Sequence, residues 1–179
     1  MESIMISRIE LPEVSGLTPE QNGIYESIKR SRGNLDGPFL AWLHSPKMAS
    51  PAEQLGAFCR YGTLLSLQES ELLILCVAAH HRCDGEQKIH EPIALQSGVS
   101  NANIELIRNH KAPNFDNHRM TLLSGLATEL LQTNRINKAL FVEATEVLGQ
   151  QTLVETVGVI GYYTLVAHTL NAFEMGIAT

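Results

Sequence analysis

At 179 residues, 44% apolar and 18% charged, the chain has the length of one domain with a real core, and a composition that excludes a disordered or fibrous protein. Its formal net charge of −6 argues against a nucleic-acid binder, and no run of like charges marks a tail or a polybasic membrane patch. Cys59, Cys76 and Cys83 are an odd count without a disulfide-framework spacing. The N-terminal MESIMISRIELPEVSG lacks an apolar signal core, and the longest apolar run, LLILCVAA at 72–79, is too short to span a bilayer. The expected setting is the cytoplasm, with reduced thiols and no membrane.

Helix starts are spelled out along the chain. Thr18-Pro19-Glu20-Gln21 offers an N-cap, a proline at the first helical position and a capping-box glutamine, with Gly33 as the stop. The segment 34–48, with two prolines, predicts a loop containing a short helix. Ser50-Pro51-Ala52-Glu53 repeats the capping grammar ahead of Leu55, Phe58 and Leu65, and Ser66-Leu67-Gln68-Glu69 repeats it before 72–79. Asp84 is the expected N-cap of a helix that Gly98 ends and Pro92 bends, and Ser100 opens another. The apolar spacing of Leu122, Leu123, Leu126, Leu130 and Leu131, then of Leu153, Val157 and Ile160, predicts helices over 117–133, 137–148 and 150–174. Strand signals are weak. The reading is all-α, a single domain of roughly seven to nine helices.

The segment LCVAAHHRCDGEQKIHEPIA, 75–94, concentrates the reactive side chains. With Asp84 as N-cap, Cys83, Glu86 and His90 lie three and four residues apart along one helical face. The helix N-terminus favours an anion nearby, whether a Cys83 thiolate or a bound carboxylate. His90 is the candidate acid/base group, oriented by Glu86 or by Glu71 if the preceding helix packs antiparallel. Read structurally, Glu86 and His90 are a surface i, i+4 pair worth roughly 0.2–0.5 kcal/mol. Arg82 and His80 are candidate substrate-binding residues. A dithiol site would need Cys-x-x-Cys, and Glu86 stands three after Cys83. Cys76, inside an apolar run, reads as a core residue. No metal site is expected: the spacing matches no zinc signature, and the adjacent His80 and His81 point about 100° apart on a helix.

Glu71-Leu-Leu-Ile-Leu-x-Val-Ala-Ala, Glu86-x-x-x-His90, Ala94 and Gly98-Val99-Ser100 resemble the carboxymuconolactone decarboxylase family, whose superfamily includes the alkylhydroperoxidase D type. GPFLAWLHSP (37–46), LGAFCRYGTLLS (55–66) and GYYTLVAHTLNAF (161–173) resemble it too. The resemblance implies an alkylhydroperoxidase D-like helical bundle over 37–179, with 1–36 as an N-terminal extension packed on it. It also implies a cofactor-free site buried between subunits of a homo-oligomer (dimer, trimer or hexamer) that takes a small-molecule substrate. Against the peroxidase branch, Glu71, Cys83 and His90 match, while Glu86 replaces the second cysteine. The decarboxylase branch has a glutamate four residues before the histidine, as Glu86 and His90 do. Its late tyrosine-glycine-phenylalanine-proline signature is absent, with Gly161-Tyr162-Tyr163-Thr164 in that region, and Gln87 follows Glu86 where relatives often carry an aromatic. The leading expectation is a cofactor-independent lyase or isomerase acting on a small carboxylated lactone or keto acid. The alternatives are a single-cysteine peroxidase using Cys83, and a non-catalytic oligomer that binds a small molecule.

Overall fold

In the computed structural model, residues 5–35 and 37–177 are described, Met5 and Ile177 by their backbone alone. The caps written in the sequence become helix starts. Thr18 caps α1 (Pro19–Arg32) with a complete capping box to Gln21, and Gly33, at φ 81°, ends it in the left-handed conformation that glycine tolerates best. A short α2 (Phe39–Trp42) lies in the proline-bearing segment, as expected. Ser66 and Glu69 close a second capping box on α4 (Leu67–His80), and Ser100 caps α6 (Asn101–Arg108). Asn117 caps α7 (His118–Thr133).

Two starts fall elsewhere. α3 runs from Pro46 to Tyr61, so it begins a turn before Ser50, and Pro51 sits inside it. Pro46 supplies the favourable first-turn proline, and the Ser50 hydroxyl receives the Gln54 side-chain amide instead of a backbone N–H. α5 runs from Asp84 to Ser97 with Cys83, not Asp84, as its N-cap residue, because the Cys83 carbonyl accepts the first helical bond, from Gln87 N–H. The last helix, α8 (Lys138–Ala172), is broken at Gly149, where φ 76° and ψ 161° leave helical space. That break separates the two helices expected over 137–148 and 150–174. Among the described residues, the only strand pairing joins β1 (Met5–Ile6) to β2 (Gly176–Ile177), antiparallel.

α4 is the hub. It packs against α5, α6, α7 and α8, and its residues 69–75 and 77–79 are buried, so it is apolar nearly all round, as a central helix must be. α1 lies against α3, with Ile24, Tyr25 and Ile28 in the same core. α8 is long and apolar enough by length and composition to cross a membrane, yet 61% of its most apolar window is buried inside the protein.

The turn from α4 into α5 sets the site. Cys83 N–H bonds to the Ala78 carbonyl and Arg82 N–H to that of Ala79, with Arg82 at φ 51° in the left-handed conformation. This is the Schellman arrangement, with arginine in the place glycine usually takes. It folds α5 back along α4 within three residues.

One long-range bond fastens α2 to α8: the Trp42 indole N–H donates to Thr169 Oγ1 at 3.0 Å in a buried setting. Thr169→Val should strand that N–H and cost about 1–3 kcal/mol. The check is a lower denaturant midpoint at unchanged slope; an unchanged midpoint would count against the bond.

Candidate active site

Glu71 on α4 is fully buried, and a carboxylate so placed needs partners. It has two. Arg60 on α3 donates from Nη1 to Oε1 at 2.9 Å, and His90 on α5 lies with Nδ1 2.7 Å from Oε2. With Nδ1–H directed at Glu71, the 3.4 Å approach of Arg60 Nη1 to Nδ1 is a contact between two donors, not a hydrogen bond. The other ring nitrogen, Nε2, sits 3.4 Å from Glu86 Oε2, one turn earlier on α5. Glu86 Oε2 is buried and has no closer partner. The imidazole is thus held between two carboxylates, one behind it and one in front.

The front opens on a cleft of about 130 Å3 lined by Glu86 and His90 together with Arg32, Arg60, Tyr162 and Tyr163. Such a volume is below the roughly 300–1,000 Å3 of drug-sized sites, so the cleft suits a small molecule. Aromatic rings build one wall. Phe39, Trp42, Tyr162 and Tyr163 meet edge to face in turn, and Tyr163 meets the His90 ring the same way at 5.4 Å. Burial pushes both tyrosine hydroxyls far above their usual range, so they remain donors.

Of the residues expected to form the site, the fold brings Glu71, Glu86 and His90 together. Arg82 is exposed in the α4–α5 turn and is not among the residues lining the cleft; its backbone is committed to the helix cap. His80 is exposed and lines a separate cavity of about 400 Å3 with Ile107, His110 and Lys111. The fold thus places neither of these expected substrate-binding residues, Arg82 or His80, in the lining of the cleft. His80 meets His81 edge to face, and His81 meets His168 in the same way, in a cluster outside the cleft lining.

Cys83 also departs from expectation. The helix N-terminus was expected to favour its thiolate, but the residue is 1% exposed. Burial pushes the thiol up to about 11, against the weaker pull of the Glu86 and Gly85 backbone N–H groups. Cys59 and Cys76 are likewise pushed up by burial, to about 11 and about 12, and all three thiols are free.

Sequence reasoning missed Arg60, Arg32, Tyr162 and Tyr163 as site residues. The signal for Arg60 was a single cation inside the Phe58-Cys59-Arg60-Tyr61 run. Arg32 had none, since it comes from α1 at the far side of the chain.

Residues 46–129 match the Carboxymuconolactone decarboxylase family. The whole fold is similar to that of an uncharacterized peroxidase-related protein from Ralstonia eutropha JMP134, described as an alkylhydroperoxidase AhpD core. That likeness has a TM-score of 0.78 at 17% identity, covering 97% of this chain and 93% of that one. An uncharacterized peroxidase-related protein from Silicibacter sp. TM1040 gives 0.79 at 16% identity, covering 97% and 92%. The apo debrominase Bmp8 gives 0.74 at 13%, covering 94% and 91%. No curated protein matches the chain. The family match thus covers 46–129, and the fold of the chain is that of the alkylhydroperoxidase AhpD-like structures. Glu71, Glu86, His90 and Arg60 fall inside the matched stretch, whereas Arg32, Tyr162 and Tyr163 lie outside it.

Burial by itself would push the His90 imidazole down, but the Glu71 hydrogen bond and the Glu86 carboxylate outweigh it and hold it above its ordinary 6.5. The native state then binds this proton more tightly than the unfolded chain. The resulting stabilisation is complete below 6.5 and is lost as pH rises through the higher folded value. NMR of the ring protons should find His90 mainly protonated at pH 6.5, and the matching fall in melting temperature should flatten in His90→Gln. Titration of His90 below 6.5 would overturn the assignment.

Proposed function

We propose that the protein is a cofactor-independent lyase or isomerase that moves a proton at the carbon next to a carbonyl in a small carboxylated lactone or keto acid. The observation that carries this reading is the buried Glu71–His90–Glu86 arrangement, whose His90 and Glu86 line a small cleft. Glu71 fixes the ring and its tautomer from behind. Two carboxylates flanking one imidazole favour a proton on Nε2, shared toward Glu86, which suits donation to carbon. In a decarboxylation the bond to the leaving carboxylate breaks, its electron pair passes into the neighbouring carbonyl as an enolate, and the carbon takes the proton from the His90–Glu86 pair. Isomerisation would use the same pair to take and return a proton.

The reading extends to the assembly and its setting. Leu55, Phe58, Tyr61, Leu64 and Val154 are exposed apolar side chains on or near α3 and α8, and they suit a subunit interface in a homo-oligomer. The acidic composition and three free thiols suit the cytoplasm.

A test follows carboxylated lactones and β-keto acids in deuterated water by NMR, scoring deuterium incorporation and loss of carboxylate. Wild-type protein should catalyse one of these, and His90→Gln should lose roughly 10²–10⁴-fold of the rate while keeping its helical circular dichroism. Undiminished turnover in that variant would sink the mechanism.

The single-cysteine peroxidase is the competing reading, and its relatives' descriptions as peroxidase-related favour it. The buried, high-pKa Cys83 and the missing second cysteine weigh against it. Intact-mass analysis after brief peroxide exposure, with Cys83→Ser as control, should find no selective sulfenic acid at Cys83. Rapid, selective oxidation there would reinstate the thiol enzyme. A protein that neither turns over any of these acids nor reacts with peroxide would be the non-catalytic binder.

A further inference from the structure

We propose that Arg32, with the Tyr162 hydroxyl, is the carboxylate-binding element of this cleft and selects small organic acids as its occupants. This deepens the proton-transfer reading above and rests on it for the identity of the substrate.

The argument begins with unpaired atoms. Among the described residues, five buried side-chain polar atoms have no hydrogen-bond partner. Three are donors on residues that line the one cleft, Nε and Nη2 of Arg32 and the hydroxyl of Tyr162, and a fourth, Glu86 Oε2, is an acceptor that faces His90 Nε2 at 3.4 Å. The fifth, His81 Nε2, lies elsewhere. Buried polar groups are almost always paired, so a concentration of unpaired ones in a single cleft points to a ligand that pairs them. Glu86 and Tyr162 are each 3% exposed, so bulk water does not serve them freely.

The chemistry of those atoms selects the ligand. Nε–H and Nη2–H lie side by side along one edge of a guanidinium, the fork that meets both oxygens of a carboxylate. The Tyr162 hydroxyl adds a third donor. The other arginine at the cleft, Arg60, is already committed to Glu71. Among the described residues, Arg32 is therefore the cation of this cleft with donors left for an anion.

The surroundings hold Arg32 in place without occupying Nε–H or Nη2–H. Its guanidinium carbon lies 4.7 Å from the centre of the Phe39 ring, a cation–π contact that leaves the in-plane N–H groups available. On α3, Gly56 makes room. A Cβ there would fall 2.1 Å from the Tyr162 hydroxyl oxygen and 2.6 Å from Arg32 Nη2, so any larger residue would force the two groups to shift. At α1's end, Gly33 turns the chain away directly after Arg32. The donor set is thus assembled from α1 and α8, outside the stretch 46–129 that carries the family match.

The test uses the full chain, with succinate as probe and its uncharged diamide as control, read by calorimetric titration and by melting temperature. Succinate should bind and raise the melting temperature; the diamide should do neither. Arg32→Gln should weaken succinate binding at least about tenfold, as loss of hydrogen bonds to a charged group predicts. Arg32→Lys, which keeps the charge and loses the fork, should fall between, and Tyr162→Phe should weaken binding a few-fold. Arg30→Gln, an equal charge change on the exposed face of α1, should bind as wild type does. His90→Gln should still bind succinate, because it leaves the donors intact.

Equal binding by wild type and both Arg32 variants, or equal response to succinate and the diamide, would overturn the proposal. The two readings also fail separately. Arg32-dependent succinate binding without turnover of any lactone or keto acid would remove the proton-transfer reading and leave the carboxylate site. Turnover that ignores Arg32 would do the reverse.

Discussion

A carboxylate with no access to water organises this protein. Glu71 sits in the most buried helix of the fold, and leaving it there unpaired would cost more than most single interactions return. Its two oxygens take one donor each, from Arg60 on α3 and from His90 on α5. Three helices are thereby fixed against one another by a charge that none of them could bury alone. The same requirement locks the imidazole, since Nδ1 must serve Glu71 and only Nε2 is left to face the cleft.

The site divides its charges by depth. Glu71 lies behind the ring and Glu86 at the cleft, so in the proposed reaction identical side chains would orient in one case and exchange a proton in the other. The two arginines that line the cleft differ in pairing: Arg60 is bound to the deep carboxylate, and Nε and Nη2 of Arg32 have no partner. Cys59 and Cys83, which would carry the chemistry in a thiol enzyme, are withdrawn into the core, where burial favours the neutral thiol.

Local chemistry made much of the fold legible. Thr18, Ser66 and Ser100 declare their helices because capping needs only residues within a turn, and Glu86 with His90 is readable because i and i+4 share a face. Ser50 misled for an equally local reason: a neighbouring Gln54 satisfied its hydroxyl, and the helix had already started at Pro46. Arg82 and His80 were drawn toward the site by proximity in sequence, but they occupy the outside of a turn whose direction depends on one left-handed residue. The pairing of Glu71 with His90 followed from an assumed antiparallel packing. Arg60 and Arg32 followed from nothing local, because their place depends on how α1 and α3 rotate about their axes when they dock.

The row of rings from Phe39 to His90 has an optical consequence. Trp42 is the sole tryptophan of the chain, and it stands edge-on to Tyr162 at 6.3 Å, two rings from the imidazole. Its emission is therefore an unlabelled, single-site reporter of the cleft, sensitive to whatever settles against Tyr162. Light absorbed by the two neighbouring tyrosines drains into the same fluorophore, so the molecule carries its own spectroscopic window onto the place where its chemistry is concentrated.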